Sequence, residues 1–524
     1  MGTPSEDLKP QTTTGMKKTL GLFGLTINAM AFIAPGAFLW LTIQAQAAQV
    51  DPAGVSTAPD IWFGLFLALI LSFLTAASYA RLARRYPDAG AGSSYYFAQR
   101  ALIDRGSSNR AARNAKFAVG WLSHLYYWVY PGVMVAFMAI LISFIIQSFG
   151  FTVTAFGQVG IAVAFSLIVG FIAYRGIQGS TRVNVVMNII QLTMLFAVTI
   201  MALAYRFLNP QNLTFTFSNI GDIVLPHDAS HVLFQAAIAI LVLVGFESIT
   251  ALSSEAKNPK DIPRAVILSL IIQGAIAYLF GYLGVQAWFN SKYSFSAAAA
   301  SGAPLGDIIR TTGDVFFGGN GFVIMLIAAA AVAAAVLGTT LACLNTGVRV
   351  TYAISRDTEA PEPLGKLNTR YGTPAIGVWV LTAVSAAIGG FGVLSLRNLT
   401  AVVLLSNFGT FLLYRITCII TIVALSKERR SILSKYVIPI VGFAANMIMM
   451  AAVVWLGLIG GGDTQWAAFV AIAVTAMWML IGLGYFGLNS RSTQSKIFPF
   501  PGKERQEDRN TKYSIRGNEG VEPI

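Results

Sequence analysis

Long apolar stretches, each about 20 residues or more, recur along the chain between short polar segments. Each stretch is continuously apolar and rich in Ala, Leu, Ile and Val, whereas the strands of a membrane barrel alternate apolar and polar positions. The pattern therefore predicts membrane-spanning helices. Twelve are expected, over residues 20–44, 61–82, 117–147, 154–174, 183–207, 231–254, 262–289, 320–353, 374–395, 398–425, 436–460 and 465–488.

The composition agrees with a membrane protein. Of the 524 residues, 55% are hydrophobic and only 11% are charged, and the mean hydropathy is +0.65. A soluble domain has about 25% charged residues. These values exclude a water-soluble enzyme, a protein with a nucleic-acid partner and a disordered chain.

Basic residues are distributed unevenly between the two sides of the predicted bundle. If the N-terminus is cytoplasmic, the external loops contain, of the 36 Lys and Arg residues, only Arg206, Lys292, Arg310 and Arg397. Because cytoplasmic loops are enriched in Lys and Arg, both termini are expected in the cytoplasm, with the chain in the cell (inner) membrane. The net charge of +13 is then mainly a consequence of topology, with some attraction to anionic membrane lipid.

Two predicted spans are interrupted near their middle by residues that do not suit a helix interior. The interruptions are Ile33-Ala34-Pro35-Gly36 in the first span and Val244-Gly245-Phe246-Glu247 in the sixth. Proline lacks a backbone N–H and glycine adds conformational freedom. A broken helix offers N–H groups to a carboxylate and carbonyls to an ammonium or a cation, and an amino acid has both groups. An ordinary proline kink is the alternative for the first span.

One acidic residue, Glu247, and one basic residue, Arg415, fall deep within predicted spans. A charge at the centre of a membrane helix costs about 2.5–3.5 kcal/mol, so it needs a partner, a proton or a water-filled cavity. Glu247 is predicted to face a central cavity or to brace the break; the alternative is a protonated, purely structural residue. Arg415 is expected to extend towards the cytoplasm, to line an inner vestibule or to pair with a carboxylate.

Four motifs occur in order along the chain. They are Tyr86-Pro87-Asp88-Ala89-Gly90 through Tyr95, Thr181-Arg182-Val183-Asn184, the segment Gly245 to Val266 with Glu255, Lys257-Asn258-Pro259 and Ile262-Pro263, and Arg349-x-x-Tyr352-Ala353-x-x-Arg356-Asp357 followed by Tyr371-Gly372-Thr373-Pro374. Together they resemble the amino acid–polyamine–organocation (APC) superfamily of permeases, over residues from about 17 to 488. None of them specifies the substrate.

The resemblance implies an all-α integral membrane protein with the LeuT-like fold, a 5+5 inverted repeat plus two peripheral helices. The implied units are an N-terminal segment (1–19), two repeats (20–207 and 231–425), the peripheral helices (436–488) and a cytoplasmic tail (489–524). It also implies a secondary active transporter of amino acids or related amines that works by alternating access. Ion-independent exchange of amino acids or polyamines is one alternative, and a non-transporting amino acid sensor is another.

The resemblance places the substrate at the two breaks. Ala34-Pro35-Gly36, next to Ile33, align with the segment that meets the α-carboxylate of the substrate. Gly245-Phe246, next to Val244, align with the unwound segment that meets its ammonium. Either Phe246 or the cluster Tyr126-Tyr127-Trp128 is the candidate aromatic gate, with simple packing as the alternative for the cluster.

Two positions bear on coupling. Some proton-driven relatives have a lysine in helix five where this chain has Gln191, which does not titrate, so that proton mechanism is not expected. In sodium-coupled proteins of this fold, a hydroxyl pair on helix eight joins carbonyls of helix one around the cation. Thr339-Thr340 is the candidate pair, and Na⁺ the candidate coupling ion, because oxygen ligands suit a hard cation. The alternative is that both threonines bond their own helix.

Two histidines give a weak indication of metal chemistry. His227 and His231 are four residues apart, which places them on one helical face, but no third ligand is evident. Asp228 or Ser230 is better interpreted as the N-cap of the sixth span. No enzyme activity, metal or other cofactor is therefore predicted; a small-molecule substrate and membrane lipid are the expected partners, and a homo-oligomer is left open.

Overall fold

The computed structural model describes residues 20–33, 35–87, 93–176, 180–208, 221–253, 256–289, 293–357, 359–368, 370–428, 431–459 and 461–492. Regular structure in these ranges is helical, and the β pairing within them is limited to two isolated bridges, Leu20 with Ala256 and Val50 with Ser56. The predicted all-α class is confirmed. The predicted N-terminal segment (1–19) and most of the predicted tail lie outside the described residues.

The α-helices of the described ranges are numbered in chain order. They are α1 (Leu22–Ile33), α2 (Pro35–Ala47), α3 (Ile61–Arg85), α4 (Ser94–Arg105), α5 (Asn109–Tyr127), α6 (Tyr130–Ser148), α7 (Ala155–Arg175), α8 (Ser180–Leu208), α9 (Gly221–Val224), α10 (Ala229–Ala239), α11 (Ser248–Ala251), α12 (Asp261–Ser269), α13 (Leu279–Trp288), α14 (Phe295–Ala300), α15 (Pro304–Phe316), α16 (Gly321–Arg356), α17 (Ala375–Gly392), α18 (Leu396–Leu425), α19 (Ile438–Ile459) and α20 (Gly462–Ser492). Short 3₁₀ turns cover Ala58–Asp60, Ile240–Val242 and Glu362–Gly365, and π-helical turns cover Leu270–Tyr278 and Leu433–Val437.

The helices account for the twelve predicted spans. Ten helical stretches in the described ranges are long and apolar enough to cross a membrane. Two shorter apolar helices, Leu22–Ile33 and Ala229–Val242, belong to the first and sixth predicted spans. The chain is therefore a multi-span membrane protein, while the inverted relation between its two halves stays a prediction.

Two spans differ from the continuous helices that the sequence predicted. In the third, α5 ends at Tyr127 and α6 begins at Tyr130, with Pro131 in the first turn of α6. Proline is tolerated there because its missing N–H would have no partner in the helix. In the seventh, the π-helical turn Leu270–Tyr278 connects α12 to α13. Both features depend on which groups the backbone can bond to, and hydropathy does not report that.

The first and sixth spans lie inside the bundle. α1 packs against α8, α12 and α16, and α10 packs against α3, α18 and α19. Several helices also expose apolar side chains at the surface of the bundle, among them Phe171 on α7, Ile189 on α8 and Leu480 on α20. Exposed apolar faces of this kind suit contact with lipid, because hydrocarbon is as apolar as these side chains.

Candidate functional site

Of the predicted first break, Ala34 lies outside the described residues, and helix is present on both sides of it. α1 ends at Ile33 and α2 begins at Pro35. In a continuous helix the carbonyl of Ala31 would accept the N–H of residue 35, but proline has none. The hydroxyl of Thr339 on α16 donates to this carbonyl instead, at 2.9 Å. The proline thus frees a carbonyl that another span satisfies.

Two further carbonyls near the end of α1 accept hydrogen bonds from the π-helical turn. Gln273 Nε2 donates to the carbonyl of Met30 at 2.7 Å, and the hydroxyl of Tyr278 donates to that of Ile33 at 2.9 Å. Gln273 Nε2 also donates to Asn188 Oδ1 on α8, at 3.2 Å. π-Helical segments are rare and occur frequently at functional sites. Side-chain donors from the seventh span therefore hold the end of α1.

The sixth span is interrupted between Val242 and Ser248. The 3₁₀ turn Ile240–Val242 follows α10, residues 243–247 form turns, and α11 begins at Ser248. Gly245 has a φ of +122°, a backbone conformation that favours glycine. A Cβ added to Gly245 would lie 2.5 Å from Cδ1 of Phe32 on α1. The turn of the sixth span is therefore in direct contact with α1 at a point where a larger residue does not fit.

Glu247 braces the turn of the sixth span. Its Oε2 accepts the backbone N–H of Gly245 at 3.0 Å and the hydroxyl of Tyr414 on α18 at 2.8 Å. The side chain is fully buried, and its Oε1 has no hydrogen-bond partner among the described residues. A buried oxygen without a partner is costly. This carboxylate therefore combines a structural contact with one acceptor atom that is free for a ligand or a proton.

Apolar and aromatic side chains surround the breaks. Six of these side chains are fully or almost fully buried: Phe32, Ile33, Tyr126, Tyr130, Val244 and Phe246. The ring centroid of Phe246 lies 5.4 Å from that of Tyr414, and the centroid of Phe32 lies 5.3 Å from that of Tyr130. Because these residues are inaccessible to solvent, the structure represents a closed arrangement of the breaks. For Pro35 and Gly36 only the backbone is described.

The two hydroxyl groups of the candidate pair on α16 have different hydrogen-bond partners. Thr339 bonds the carbonyl of Ala31, and its hydroxyl also lies 3.0 Å from the carbonyl of Ala335. Thr340 donates to the carbonyl of Val336 in its own helix, at 2.6 Å. Thr339 thus contacts the end of α1. Thr340 instead bonds its own helix, which was the alternative considered for both threonines.

Gln191 and Arg415 have different surroundings. Gln191 is buried on α8, which packs against α1, and its Oε1 has no hydrogen-bond partner among the described residues. Arg415 Nη1 contacts the Sδ atoms of Met447 and Met450 on α19, at 2.7 and 3.6 Å. The carboxylate considered as a partner for Arg415 is not found in the described part of the chain.

The two histidines considered for metal chemistry pair with carboxylates. His227 Nδ1 lies 3.2 Å from Asp60 Oδ1, and His231 Nε2 lies 3.2 Å from Asp51 Oδ2. The backbone N–H of Val55 and, to a smaller extent, His231 lower the pKa of Asp51. Asp228 is the N-cap of α10, as predicted. Across the described ranges, no group of three His, Cys, Asp or Glu residues is placed to hold a metal ion.

Two of the four motifs meet near the end of α16. Lys116 on α5 forms an ion pair with Asp357, and the hydroxyl of Tyr95 on α4 donates to Asp357 Oδ2 at 3.1 Å. Burial and, to a smaller extent, the negative charge of Asp357 raise the pKa of Tyr95. Of the other motif residues, 88–92, Ser254 and Glu255 lie outside the described residues, and for 181–184 only the backbone is described.

Several neutral polar residues at the breaks were not among the predicted site residues. Asn407 Nδ2 donates to the carbonyl of Ala237 at 2.8 Å, and the hydroxyl of Tyr130 donates to that of Leu241 at 3.3 Å. The polar residues that sequence reasoning missed also include Gln273, Tyr278 and Tyr414. A single polar residue within an apolar run is the signal that would have identified each of them.

The fold and the site together define a helical membrane protein in which α1 meets the interrupted sixth span inside the bundle. Comparison with known proteins adds that residues 18–478 match the family described as amino acid permease. The chain therefore belongs to the amino acid permease family of the APC superfamily. The family and the named relatives are transporters, so the protein is an integral membrane transporter rather than an enzyme.

Relatives with different named substrates are about equally similar to this chain. The branched-chain amino acid permease BcaP of Bacillus subtilis (strain 168) is 24% identical over 500 residues, which cover 91% of this chain and 94% of BcaP. The methylthioribose transporter of the same organism is 24% identical over 504 residues, or 93% and 97% of the two chains. The low-affinity putrescine importer PlaP of Escherichia coli (strain K12) is 24% identical over 418 residues, or 78% and 82%. Identity alone therefore does not choose the substrate.

Proposed function

We propose that the protein is a secondary active transporter of amino acids with apolar side chains, which binds its substrate where the two helix breaks meet. The observation that carries the proposal is the contact of Gly245 with Phe32. The N–H groups in the first turn of α2 would bind the substrate carboxylate, because a helix N-terminus has a partial positive charge. The carbonyls that end α1 and the 3₁₀ turn Ile240–Val242 would bind its ammonium.

The charge at the breaks supports an amino acid over a diamine. Among the described residues, Glu247 is the acidic side chain at the breaks, and its Oε1 is an acceptor without a partner. A diamine has two positive charges, one of which a single carboxylate would leave unpaired at high cost. The side chains of Ile33, Val244 and Phe246 offer apolar surface to a substrate side chain. The similarity to a branched-chain amino acid permease agrees with this choice.

Uptake by proteoliposomes tests the proposal. The protein would be reconstituted and offered radiolabelled leucine, lysine and putrescine in parallel. We expect uptake of leucine, with competition from isoleucine and valine and none from putrescine. Uptake of putrescine without leucine would overturn the substrate class. Saturable leucine binding without flux would identify a sensor instead.

For coupling, we propose that Na⁺ binds between α1 and α16. The carbonyl oxygen of Ala31 and the hydroxyl oxygen of Thr339 are already adjacent, and both suit a hard cation. Binding of the cation there would stabilise the end of α1 that also meets the substrate. Gln191 does not titrate, which is a reason to prefer sodium over a proton carried at that position.

The threonines supply a matched pair of variants for this proposal. Thr339→Ala is expected to abolish the stimulation of leucine uptake by an inward sodium gradient, because it removes an oxygen next to Ala31. Thr340→Ala is expected to retain the stimulation, because its hydroxyl bonds Val336 in its own helix. Sodium-independent uptake by the unaltered protein, accelerated by leucine inside the vesicles, would establish exchange and contradict sodium coupling.

A further inference from the structure

Two histidines and three carboxylates form a cluster around the start of α10, away from the helix breaks. Its members are Asp51 in the loop after α2, Asp60 immediately before α3, and His227, Asp228 and His231. In the orientation that the Lys and Arg distribution predicts, this end of the bundle is external. The side chains of His227 and His231 are 42% and 13% exposed, so protons from the external solution can reach both.

Asp60 is held mainly by backbone donors. Its side chain is fully buried, and its two oxygens accept the backbone N–H groups of His227 and Asp228, at 2.7 and 3.3 Å. A buried charge is tolerated when it is hydrogen-bonded or paired. These bonds hold the segment before α10 against the start of α3, and they do not depend on the charge of either histidine.

Both ring nitrogens of His231 face carboxylates. Nε2 lies 3.2 Å from Asp51 Oδ2, and Nδ1 lies 3.7 Å from Asp60 Oδ2. A neutral imidazole has one N–H, so it would turn a lone pair towards one of these two carboxylates. The imidazolium instead presents an N–H to each of them. The position of the ring between the two carboxylates therefore favours its protonated form.

The histidine, rather than the carboxylates around it, changes its charge in mildly acidic solution. The backbone N–H of Val55, which donates to Asp51 Oδ1 at 2.7 Å, and to a smaller extent His231 lower the pKa of Asp51. The side chain of Ser230 lowers the pKa of Asp228. A histidine side chain titrates between about pH 5 and 8. Acidification in that range thus adds positive charge beside carboxylates that stay negative.

The other elements that pack against α10 do not supply a competing charge. α2 and α19 contain no charged residue, and the charges of α3 lie in its last two turns. Arg397 in the first turn of α18 lies over the ring of Trp466, and Arg206 on α8 donates to the carbonyl of Ala287. In the described part of the chain, the ion pairs of His231 stay within the cluster.

We propose that His231 is a proton-operated latch, which joins the loop after α2 and the start of α3 to α10 when its ring is protonated. α2 is the part of the first span that follows Pro35, and α10 is the part of the sixth span that precedes its turn. One turn further along α10, Gln235 Nε2 donates to the carbonyl of Gln46 and to Thr57 Oγ1, at 2.9 and 2.8 Å. These neutral bonds connect the same elements at any pH, so the latch adds the pH-dependent part of their association.

The latch predicts how external pH affects transport, a consequence that rests on the proposed function. External opening must separate α2 and α10 near the substrate. A proton that binds better to the joined cluster opposes this separation. Lowering the external pH from 7.5 to 5.5 is therefore expected to slow leucine uptake by about two- to fivefold, as one partly exposed ion pair predicts.

Distance measurements test the latch independently of transport. Spin labels would be attached to cysteines that replace Val55 and Leu225, which are 54% and 61% exposed. The native Cys343 and Cys418 are buried and would stay unlabelled. With the full-length protein in lipid nanodiscs, electron paramagnetic resonance is expected to show a single short distance at pH 5.5. At pH 7.5 we expect a broader distribution that extends to longer distances.

Three variants assign the response to His231. His231→Gln, which is neutral at every pH, and Asp51→Asn, which keeps an acceptor for the N–H of Val55, are each expected to abolish the pH response of distance and uptake. His227→Gln is the matched control and should keep most of the response, because the backbone N–H of residue 227 still binds Asp60.

The outcomes separate the latch from the proposed function. Distances that do not change with pH, or a response that survives His231→Gln, would overturn the latch. If the distances respond as expected but leucine is not transported at any pH, the latch is supported and the proposed transport function is contradicted.

Discussion

At the scale of single residues, Glu247 both stabilises the turn of the sixth span and places a carboxylate at the site. The same carboxylate accepts the N–H of Gly245, which shapes the turn, and offers a free oxygen at the breaks. A buried charge is tolerated when it is hydrogen-bonded or paired. A substrate ammonium would complete that pairing in the transport account.

Two variants distinguish the contribution of the Glu247 carboxylate to transport from that of its hydrogen-bond donor, Tyr414. Glu247→Ala is expected to reduce leucine uptake by at least about tenfold, which corresponds to the loss of one charge-assisted contact. Tyr414→Phe leaves the carboxylate in place and is expected to have a smaller effect. Uptake in proteoliposomes is the measurement, with membrane insertion checked by the amount of protein in purified membranes. Normal uptake by Glu247→Ala would remove this residue from the mechanism.

Gly245→Ala tests the close approach of the two breaks. The added Cβ would overlap the ring of Phe32, and the φ of +122° would become strained. We expect weaker leucine binding and a lower melting temperature in detergent. Gly338→Ala is the matched control, because a Cβ at that position on α16 has nothing within 4 Å. Identical binding by the two variants would argue against contact between the breaks.

At the scale of helices, the sequence and the structure agree on where the spans lie and on the interruption of the sixth span, whereas the predicted break of the first span falls on Ala34, outside the described residues. Long apolar runs indicate segments that cross the lipid. Pro35 and Gly245 indicate positions where a regular helix is unfavourable. The π-helical turn was missed because an apolar sequence such as Leu270–Tyr278 does not determine its hydrogen-bond register. The donors at the breaks, such as Gln273 and Asn407, were missed because neutral polar residues stand out less than charges do. Their partners are carbonyls on other spans, which one sequence does not pair.

Pro35→Ala tests whether the first break depends on a missing N–H. Alanine would restore a donor for the carbonyl of Ala31 and favour a continuous helix. We expect weaker leucine binding, measured by thermal shift or calorimetry, because the N–H groups in the first turn of α2 would then be paired within a continuous helix. If binding were unchanged, this proline would be an ordinary kink in a membrane helix.

At the scale of the whole molecule, nearly buried ion pairs join separate elements near the end of α16. The side chains of Lys116 and Asp357 are 8% and 13% exposed, whereas those of Lys366 and Glu362 are 66% and 80% exposed. Removing one member of a buried pair leaves an unpaired charge and costs about 3–5 kcal/mol, while an exposed pair contributes about 0–1 kcal/mol.

These two pairs predict different effects on stability. Lys116→Met is expected to lower the unfolding free energy in detergent by about 3 kcal/mol, since Asp357 keeps its bond from Tyr95. Lys366→Met is expected to stay within about 1 kcal/mol of the unaltered protein. Denaturant titration followed by tryptophan fluorescence measures both. Equal effects would show that the pair near α16 does not stabilise the fold.

The distribution of Lys and Arg supports an orientation with both termini in the cytoplasm. In that orientation the first and sixth spans would enter the membrane from opposite sides, and the proposed substrate would lie where they meet inside the bundle. A structure determined by electron cryomicroscopy, with the protein in nanodiscs and saturated with leucine, tests this arrangement most directly. The account predicts ligand density between Ile33 and Gly245, with its carboxylate at the first turn of α2. Continuous first and sixth helices, or leucine bound elsewhere, would contradict it.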